Sequence, residues 1–294
     1  MKNYDYAIIG NCTSSALVAA DCSIDWLCLP FFDSPSVFAK ILDEKKGGYF
    51  KISAFNLEKI EQHYVTHTPI LRTVFTTSDG VFELRDYMPR FLTSREEYYC
   101  PPEIHRNILL VSGKPRIIVE LKPKPNYALS EADFIIENNH LKITSRRGEY
   151  VSFYLYSNLD YQKIIDSEPI ELQGTSFLFF SYHEKLKEIN TDTIYIEYEK
   201  TKTYWLDWVY RTRVPSKHRD LTIRSALTLK LLTYQRSGAV IAAPTTSLPE
   251  IIGKGRNWDY RYCWIRDASM IVDLYARLGH MRSAKRYMEF VLNR

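Results

Sequence analysis

Ile70-Leu-Arg-Thr-Val-Phe-Thr-Thr77, then Ser78-Asp-Gly80, then Val81-Phe-Glu-Leu-Arg-Asp-Tyr-Met88 is the stretch whose reading decides the fold. Two runs rich in β-branched and aromatic residues flank an Asp-Gly pair. Glycine there supplies the positive φ that a tight hairpin turn needs. Further strand signals follow at Gly48–Ile52, Ile108–Val111, Arg116–Leu121, Asp133–Glu137, Leu141–Thr144, Tyr150–Tyr156, Ser176–Tyr182 and Thr193–Tyr198. Between them stand turn formers: Ser112-Gly113, Pro123-Lys-Pro125, Asn138-Asn139, Arg147-Gly148 and Gly174. Many short strands at this spacing predict an antiparallel β-sandwich of two packed sheets over residues 1–200.

The pattern changes near residue 201. Trp205, Trp208 and Val209 share one face of a short helix, which Pro215 ends, so 201–219 is expected to be a helical linker. From Asp220 to Arg236 a second helix is expected, with Leu227, Leu231 and Tyr234 as its stripe and Gly238 as its C-terminal cap. The small-residue stretch Ala239–Ser247 leads through Pro249 and two glycines to Arg256-Asn-Trp-Asp-Tyr-Arg-Tyr-Cys-Trp-Ile-Arg-Asp267. A third helix, capped by Asp267, carries Met270, Ile271, Leu274 and Leu278 inward and ends at Gly279. A fourth begins near Met281, with Tyr287, Met288, Val291 and Leu292 as its apolar residues, and runs to Arg294 with no capping signal.

Composition sets the outer bounds. The 294 residues are 45% hydrophobic and 25% charged, as in a globular protein and not a disordered one. A net charge of +4, with no block of like charges, does not point to nucleic acid. No apolar run has the length of a membrane span and the amino terminus opens no signal peptide, so a cytoplasmic location is expected. Five cysteines without C-x-x-C spacing imply neither a disulfide framework nor a zinc site. His63 and His67 are four apart but lie in an extended segment without an intervening Glu, and they are expected at the surface. Neither a phosphate loop at Gly253-Lys-Gly255 nor a G-x-S-x-G nucleophile motif is present. No cofactor and no metal are expected.

In the run 256–267, Trp258, Tyr260, Tyr262 and Trp264 recur every second residue among Asp259, Arg261, Arg266 and Asp267. Flat aromatic faces beside a carboxylate and a guanidinium suit a ligand apolar on its ring faces and hydroxylated at its rim, as a sugar is. The same residues also suit an aromatic strand packed in a core.

Ile9-Gly-Asn-Cys-Thr-Ser-Ser-Ala-Leu-Val18, Ser23-Ile-Asp-Trp-Leu-Cys-Leu-Pro30 and Phe32-Asp-Ser-Pro-Ser-Val-Phe-Ala39 resemble the N-terminal domain of bacterial and archaeal glucoamylase-like and trehalase-like enzymes. Ala239–Glu250 and Arg256–Asp267 resemble the opening of their catalytic domain, glycoside hydrolase family 15. The resemblance implies a β-sandwich followed by an all-α (α/α)6 barrel, incomplete here because only 220–294 would belong to it. It implies inverting hydrolysis of terminal α-linked glucose from an α-glucosidic oligosaccharide or from trehalose. It assigns Arg266 and Asp267 to the hydroxyls of the terminal glucose, Tyr260 to the reacting carbon, and Trp264 to the sugars flanking the scissile bond. Cys22 stands where the family usually has a turn glycine, and Asn11 where it often has aspartate.

An inverting enzyme needs an acid and a base roughly 6.5–9.5 Å apart. In the family both are glutamates far downstream of the Trp-Ile-Arg-Asp segment. They are therefore expected beyond Arg294, and no catalytic residue is expected within the 294. Of the acids near the run, Glu250, Asp259 and Asp267, none stands at a family catalytic position. The chain alone is expected to be inactive. With so few helices, Leu227, Leu231, Ile271, Leu274 and Leu278 would expose an apolar patch, unless the helices fold back on the sandwich or a second chain carries the rest of the barrel. A non-catalytic carbohydrate-binding or barrel-completing subunit is the alternative.

Overall fold

The computed structural model describes residues 5–183, 189–248, 251 and 253–293. Residues 1–4, where no signal peptide was read, and Pro249 and Glu250 before the aromatic run lie outside the described residues. So does Arg294, the position beyond which the acid and base glutamates are expected; the last helix is described as far as Leu292, with Asn293 after it.

The 70–88 stretch is the hairpin its sequence predicts. Leu71–Thr77 pairs antiparallel with Gly80–Tyr87, Leu71 facing Asp86 and Thr77 facing Gly80. The Thr77 hydroxyl accepts from the backbone N–H of Asp79 and Gly80 at 3.2 and 3.1 Å. Gly80 has φ +153°, and a Cβ there would lie 2.2 Å from the Ser112 carbonyl oxygen, so only glycine lets the neighbouring strand approach.

Around this hairpin an eight-stranded sheet runs in the order Ala132–Glu137, His140–Ser145, Ser152–Ser157, Ser176–Tyr182, Glu103–Gly113, Gly80–Tyr87, Leu71–Thr77, Leu57–Tyr64. A seven-stranded sheet runs Tyr6–Gly10, Ser15–Ala19, Ile24–Cys28, Tyr49–Ala54, Arg116–Lys122, Ile170–Glu171, with Ser36–Phe38 paired to Ile24–Cys28. Every pairing described is antiparallel. Inward residues of both sheets share one core, in which Ile9, Ile24, Phe50 and Val119 of one meet Phe75, Leu84, Ile104 and Phe180 of the other. The Phe38, Phe50 and Phe153 rings lie 5.8, 6.2 and 5.2 Å from that of Phe180. The two sheets therefore stack as a sandwich, by burying alternate residues of each strand.

One guanidinium sews the sheets together. Arg106, fully buried, donates to both carboxylate oxygens of Asp86 at 2.8 and 3.2 Å in its own sheet. It also donates to the Phe50 carbonyl of the opposite sheet and to the Cys22 carbonyl in a turn of that sheet, each at 2.6 Å.

The two departures noted in the sequence have local reasons. Cys22 keeps the conformation of a turn glycine, with φ +63°, its N–H donating to the Ala19 carbonyl at 2.9 Å. Asn11 accepts from the N–H groups of Thr13 and Ser14 at 3.1 and 3.2 Å, as an aspartate could. Its amide also donates to the Pro101 carbonyl at 2.7 Å, which an aspartate could not do when ionised.

Thr193–Tyr198 is not a strand. It opens the helix Thr191–Tyr210, where the Asn190 side chain caps the Thr193 N–H at 2.9 Å. Ile194, Tyr198, Thr201, Trp205 and Trp208 line its buried face at helical spacing, and that pairing with the sheet outweighs the strand propensity of Ile-Tyr-Ile. The next helix, Arg219–Leu231, ends before Tyr234, so Gly238 is not its cap. Instead Gly238, at φ +83°, turns the chain so that Thr233 bridges Val240. Ile265–Arg277 and Met281–Leu292 complete the helices, with Gly279 at φ +86° just past the former. Trp208 and His280 stack at 4.1 Å with their planes 2° apart, and His280 Nε2 meets the Thr212 hydroxyl at 2.8 Å. The start of the last helix is thereby held against the end of the first long one.

Leu227, Leu231 and Leu278 are buried with Trp205, Trp208 and Cys12, so the expected exposed patch does not form from them. The helices fold back on the sandwich. Exposure falls instead on Ile265 (71%), Met270 (70%) and Leu292 (77%), with Met281, Met288 and Val291 also exposed. Met270, expected inward, faces out because Ala268 and Tyr275 mark the buried side of its helix.

Candidate functional site

The run 256–264 is not a strand. It crosses the face of the sandwich as an irregular segment, tied by Ala243 N–H to the Tyr260 carbonyl at 2.9 Å and Ala242 N–H to the Tyr262 carbonyl at 3.1 Å. The adjoining small-residue stretch is itself fixed to the sandwich, since the buried Trp26 indole donates to the Pro244 carbonyl at 2.7 Å.

Tyr260 and Trp264 stack, ring centroids 5.4 Å apart and planes 21° off parallel. Trp258 meets Trp264 edge-on at 6.4 Å, and Trp258 and Tyr262 are exposed. The Arg266 guanidinium lies 5.7 Å from the Trp264 ring, and its Nη2 is 3.1 Å from Asp267 Oδ2. All four residues singled out in the sequence therefore form a connected chain of contacts. Tyr260, Trp264 and Asp267 are half-buried, while Arg266 is exposed.

Asp267 does not cap the helix. The backbone turns helical already at Ile265, Trp264 holds the cap position without a side-chain bond, and Asp267 falls in the first turn. A carboxylate there still favours the positive end of the helix dipole. The Arg266 and Asp267 side chains are 70% and 36% exposed, and such a pair stabilises a fold by at most about 1 kcal/mol. Its charges are thus accessible to a polar ligand. Aromatic faces flanked by a paired guanidinium and carboxylate can stack on a pyranose ring and hydrogen-bond its hydroxyls.

Arg261 belongs to the same run but turns the other way. It is only 4% exposed. Its Nη1 donates to the Ser34 carbonyl at 2.6 Å and the Phe32 carbonyl at 3.3 Å, and Nη2 donates to the Tyr127 hydroxyl at 2.8 Å. Nε and Nη2 hold Asp259 at 3.0 and 2.7 Å. Burial opposes ionisation of Asp259, but the side-chain and backbone bonds from Arg261 outweigh it and keep the carboxyl below its ordinary range. Asp259 and Arg261, which stand among the aromatics of the run, therefore anchor the segment. Nothing local in the sequence signals this, since the partners lie far upstream.

Among the described residues one group has metal-ligand spacing, Glu103, His105 and Glu197, with donor atoms within 4.8 Å of one another. It lies beneath the helix Thr191–Tyr210, on a different element from the aromatic run. Burial holds the His105 imidazole neutral, down at about 3, and pushes the Glu197 carboxyl up to about 7 against Lys200 and Tyr99. His63 is exposed, and His67 pairs with Asp220 at 3.6 Å, so those two histidines do not form a common site. The cysteines described are free thiols, and no described helix is long and apolar enough to cross a membrane.

Residues 5–157 match the trehalase-like N-terminal family, and residues 216–294 match glycosyl hydrolases family 15. The chain is 36% identical to a trehalase of Thermoplasma acidophilum over 92% of its length and 47% of the relative's. It is 37% identical to trehalase 2 of Sulfolobus acidocaldarius, covering 98% of this chain and 49% of the relative. A trehalase of Mycolicibacterium smegmatis is 29% identical over 98% and 46%. The chain spans about half the length of the curated relatives it matches. It belongs to the trehalase-like family and carries a glycosyl hydrolases family 15 segment.

Proposed function

We propose that this member of the trehalase-like family contributes the sugar-holding part of an inverting glycoside hydrolase that acts on trehalose. One observation carries the reading: the Tyr260–Trp264 stack continues into the accessible Arg266–Asp267 pair. A terminal α-linked glucosyl unit would stack on the rings and give its hydroxyls to the two charges. Tyr260, nearest the reacting carbon by family resemblance, would support the oxocarbenium-like transition state. The relatives' names favour trehalose over α-1,4 or α-1,6 glucans as the substrate.

In this reading the residues 220–294 are the beginning of an (α/α)6 barrel, and 1–200 with the linker 201–219 form the platform beneath it. The acid and base glutamates stand outside the 294 residues, downstream of Arg294. These residues alone would therefore bind trehalose and release no glucose from it. Titration calorimetry with trehalose and maltotriose tests this. Arg266→Ala or Asp267→Asn should weaken trehalose binding by about tenfold, each removing charge-assisted hydrogen bonds. Unchanged binding in both variants, or glucose release by the 294 residues, would reject the reading.

The exposed Ile265, Met270, Met281, Met288 and Leu292 favour a second component of the proposal. Further helices, on this polypeptide or on a second chain, would cover that face. A subunit that binds carbohydrate or completes a barrel without performing the chemistry is the variant of the reading that this face also supports.

A further inference from the structure

We infer that the β-sandwich is a working part of the sugar site, with Arg261 as the positioning residue through which it acts. This rests on reading Tyr260, Trp264, Arg266 and Asp267 as the sugar cradle. The Arg261 side chain bonds to none of the four, yet it controls the segment that carries two of them. Its Asp259 partner sits next to Tyr260, and the Trp264 indole N–H donates to the Asp259 carbonyl at 3.4 Å. One chain of bonds therefore runs from the Ser34 and Phe32 carbonyls and the Tyr127 hydroxyl, through Arg261 and Asp259, to Trp264.

The sandwich side of this chain is held in an unusual shape. Asn126, Tyr127 and Ala128 have φ of +55°, +56° and +61°, a left-handed turn without a glycine. Such backbone costs of order 1 kcal/mol or more per residue, so the surrounding contacts must hold it. The turn presents the Tyr127 hydroxyl to Arg261 and lays its ring 5.5 Å from the guanidinium. A guanidinium suits this place because Nε and Nη2 can hold the carboxylate while Nη1 reaches the carbonyls and the second N–H of Nη2 reaches the phenol. A lysine ammonium has one nitrogen and cannot span them.

Two variants of the 294-residue chain test the inference, read by near-ultraviolet circular dichroism and by trehalose titration. Trp264→Phe first identifies the band that arises from the Tyr260–Trp264 stack. Arg261→Lys should lose most of that band and bind trehalose roughly tenfold more weakly, with the far-ultraviolet spectrum of the sandwich unchanged. Tyr127→Phe removes one oxygen far from the cradle. It should weaken binding by about threefold and reduce the band in part. A band preserved in both variants overturns the inference, whether or not trehalose binds. A band lost in both while the parent chain binds no trehalose sustains the positioning role and rejects the sugar reading instead.

Discussion

Inside the sandwich, Arg106 holds Asp86 and reaches two carbonyls of the facing sheet; at the seam with the helical segment, Arg261 holds Asp259 and reaches two carbonyls and a phenol of the sandwich. Both are buried, and both join elements far apart in the chain. Their surroundings differ. Arg106 lies within a core closed on both faces by two sheets. Arg261 pins an irregular segment whose outer side remains partly open, and the two helices that follow bury only one face each. The sandwich is thus complete on its own terms, whereas the helical segment borrows its order from the sandwich.

That contrast can be broken most directly at Arg106. Arg106→Met leaves Asp86 buried without its cation and should cost about 3–5 kcal/mol, read as a lower urea midpoint. The double variant with Asp86→Leu should recover much of the loss, because the stranded charge is gone. A loss below about 1 kcal/mol in the single variant would mean that the sandwich does not depend on this tie.

The buried face of the helical segment comes next. Leu231→Ala should cost about 2–4 kcal/mol, since the side chain is wholly enclosed with Trp205 and Trp208. If it unfolds only the helices while the sandwich signal persists, the two regions are separable.

The connecting helix Thr191–Tyr210 gives a pH handle. Burial raises the folded Glu197 carboxyl from its ordinary 4.5 to about 7, so the fold favours the protonated form. Its stabilising contribution is full below pH 4.5 and is lost as pH rises through about 7, by roughly 2–3 kcal/mol. His105, held neutral down to about 3, acts in the opposite sense, its contribution falling as pH drops below its ordinary 6.5. Between about pH 4.5 and 6.5 the two contributions oppose each other, so Glu197→Gln, which leaves only that of His105, should make stability rise more steeply with pH than in the parent, in thermal melts at fixed ionic strength. The same pH dependence in variant and parent would exclude Glu197 as a contributor.

The smallest effect is expected on the open face. Met270→Lys should change the stability of the 294 residues by under about 0.5 kcal/mol, because the side chain is already in solvent. A larger change in a chemical melt would show that this face is covered in solution, and the contrast between a closed and an open region would fail.

Much of the sandwich was legible in the sequence, because alternation and turn residues agree. The 70–88 hairpin, the Asn138-Asn139 turn and the strands near 116, 141 and 176 stand where those signals put them. Thr193–Tyr198 misled because its β-branched and aromatic residues suit both periods, and only the Asn190 cap and the sheet beneath it decide for helix. Gly238 and Asp267 misled for a related reason, since a capping residue type does not reveal where the backbone stops being helical. For the candidate site, the sequence was enough to bring Tyr260, Trp264, Arg266 and Asp267 into view as neighbours. Residue type and spacing alone could not separate Arg261 from Arg266, as both are arginines beside aromatics; the resemblance singled out Arg266 and gave Arg261 no role. Only the folded loop at Phe32–Ser34 distinguishes an anchor from a ligand-facing charge.

The Trp208–His280 stack makes the docking of the last helix optically visible. An imidazolium lying flat against an indole drains its excited state, and burial holds His280 neutral down to about 4, so Trp208 should dim as pH falls toward 4 while the helix stays seated. Peeling the helix away at that pH would brighten it, giving a label-free gauge of that single motion.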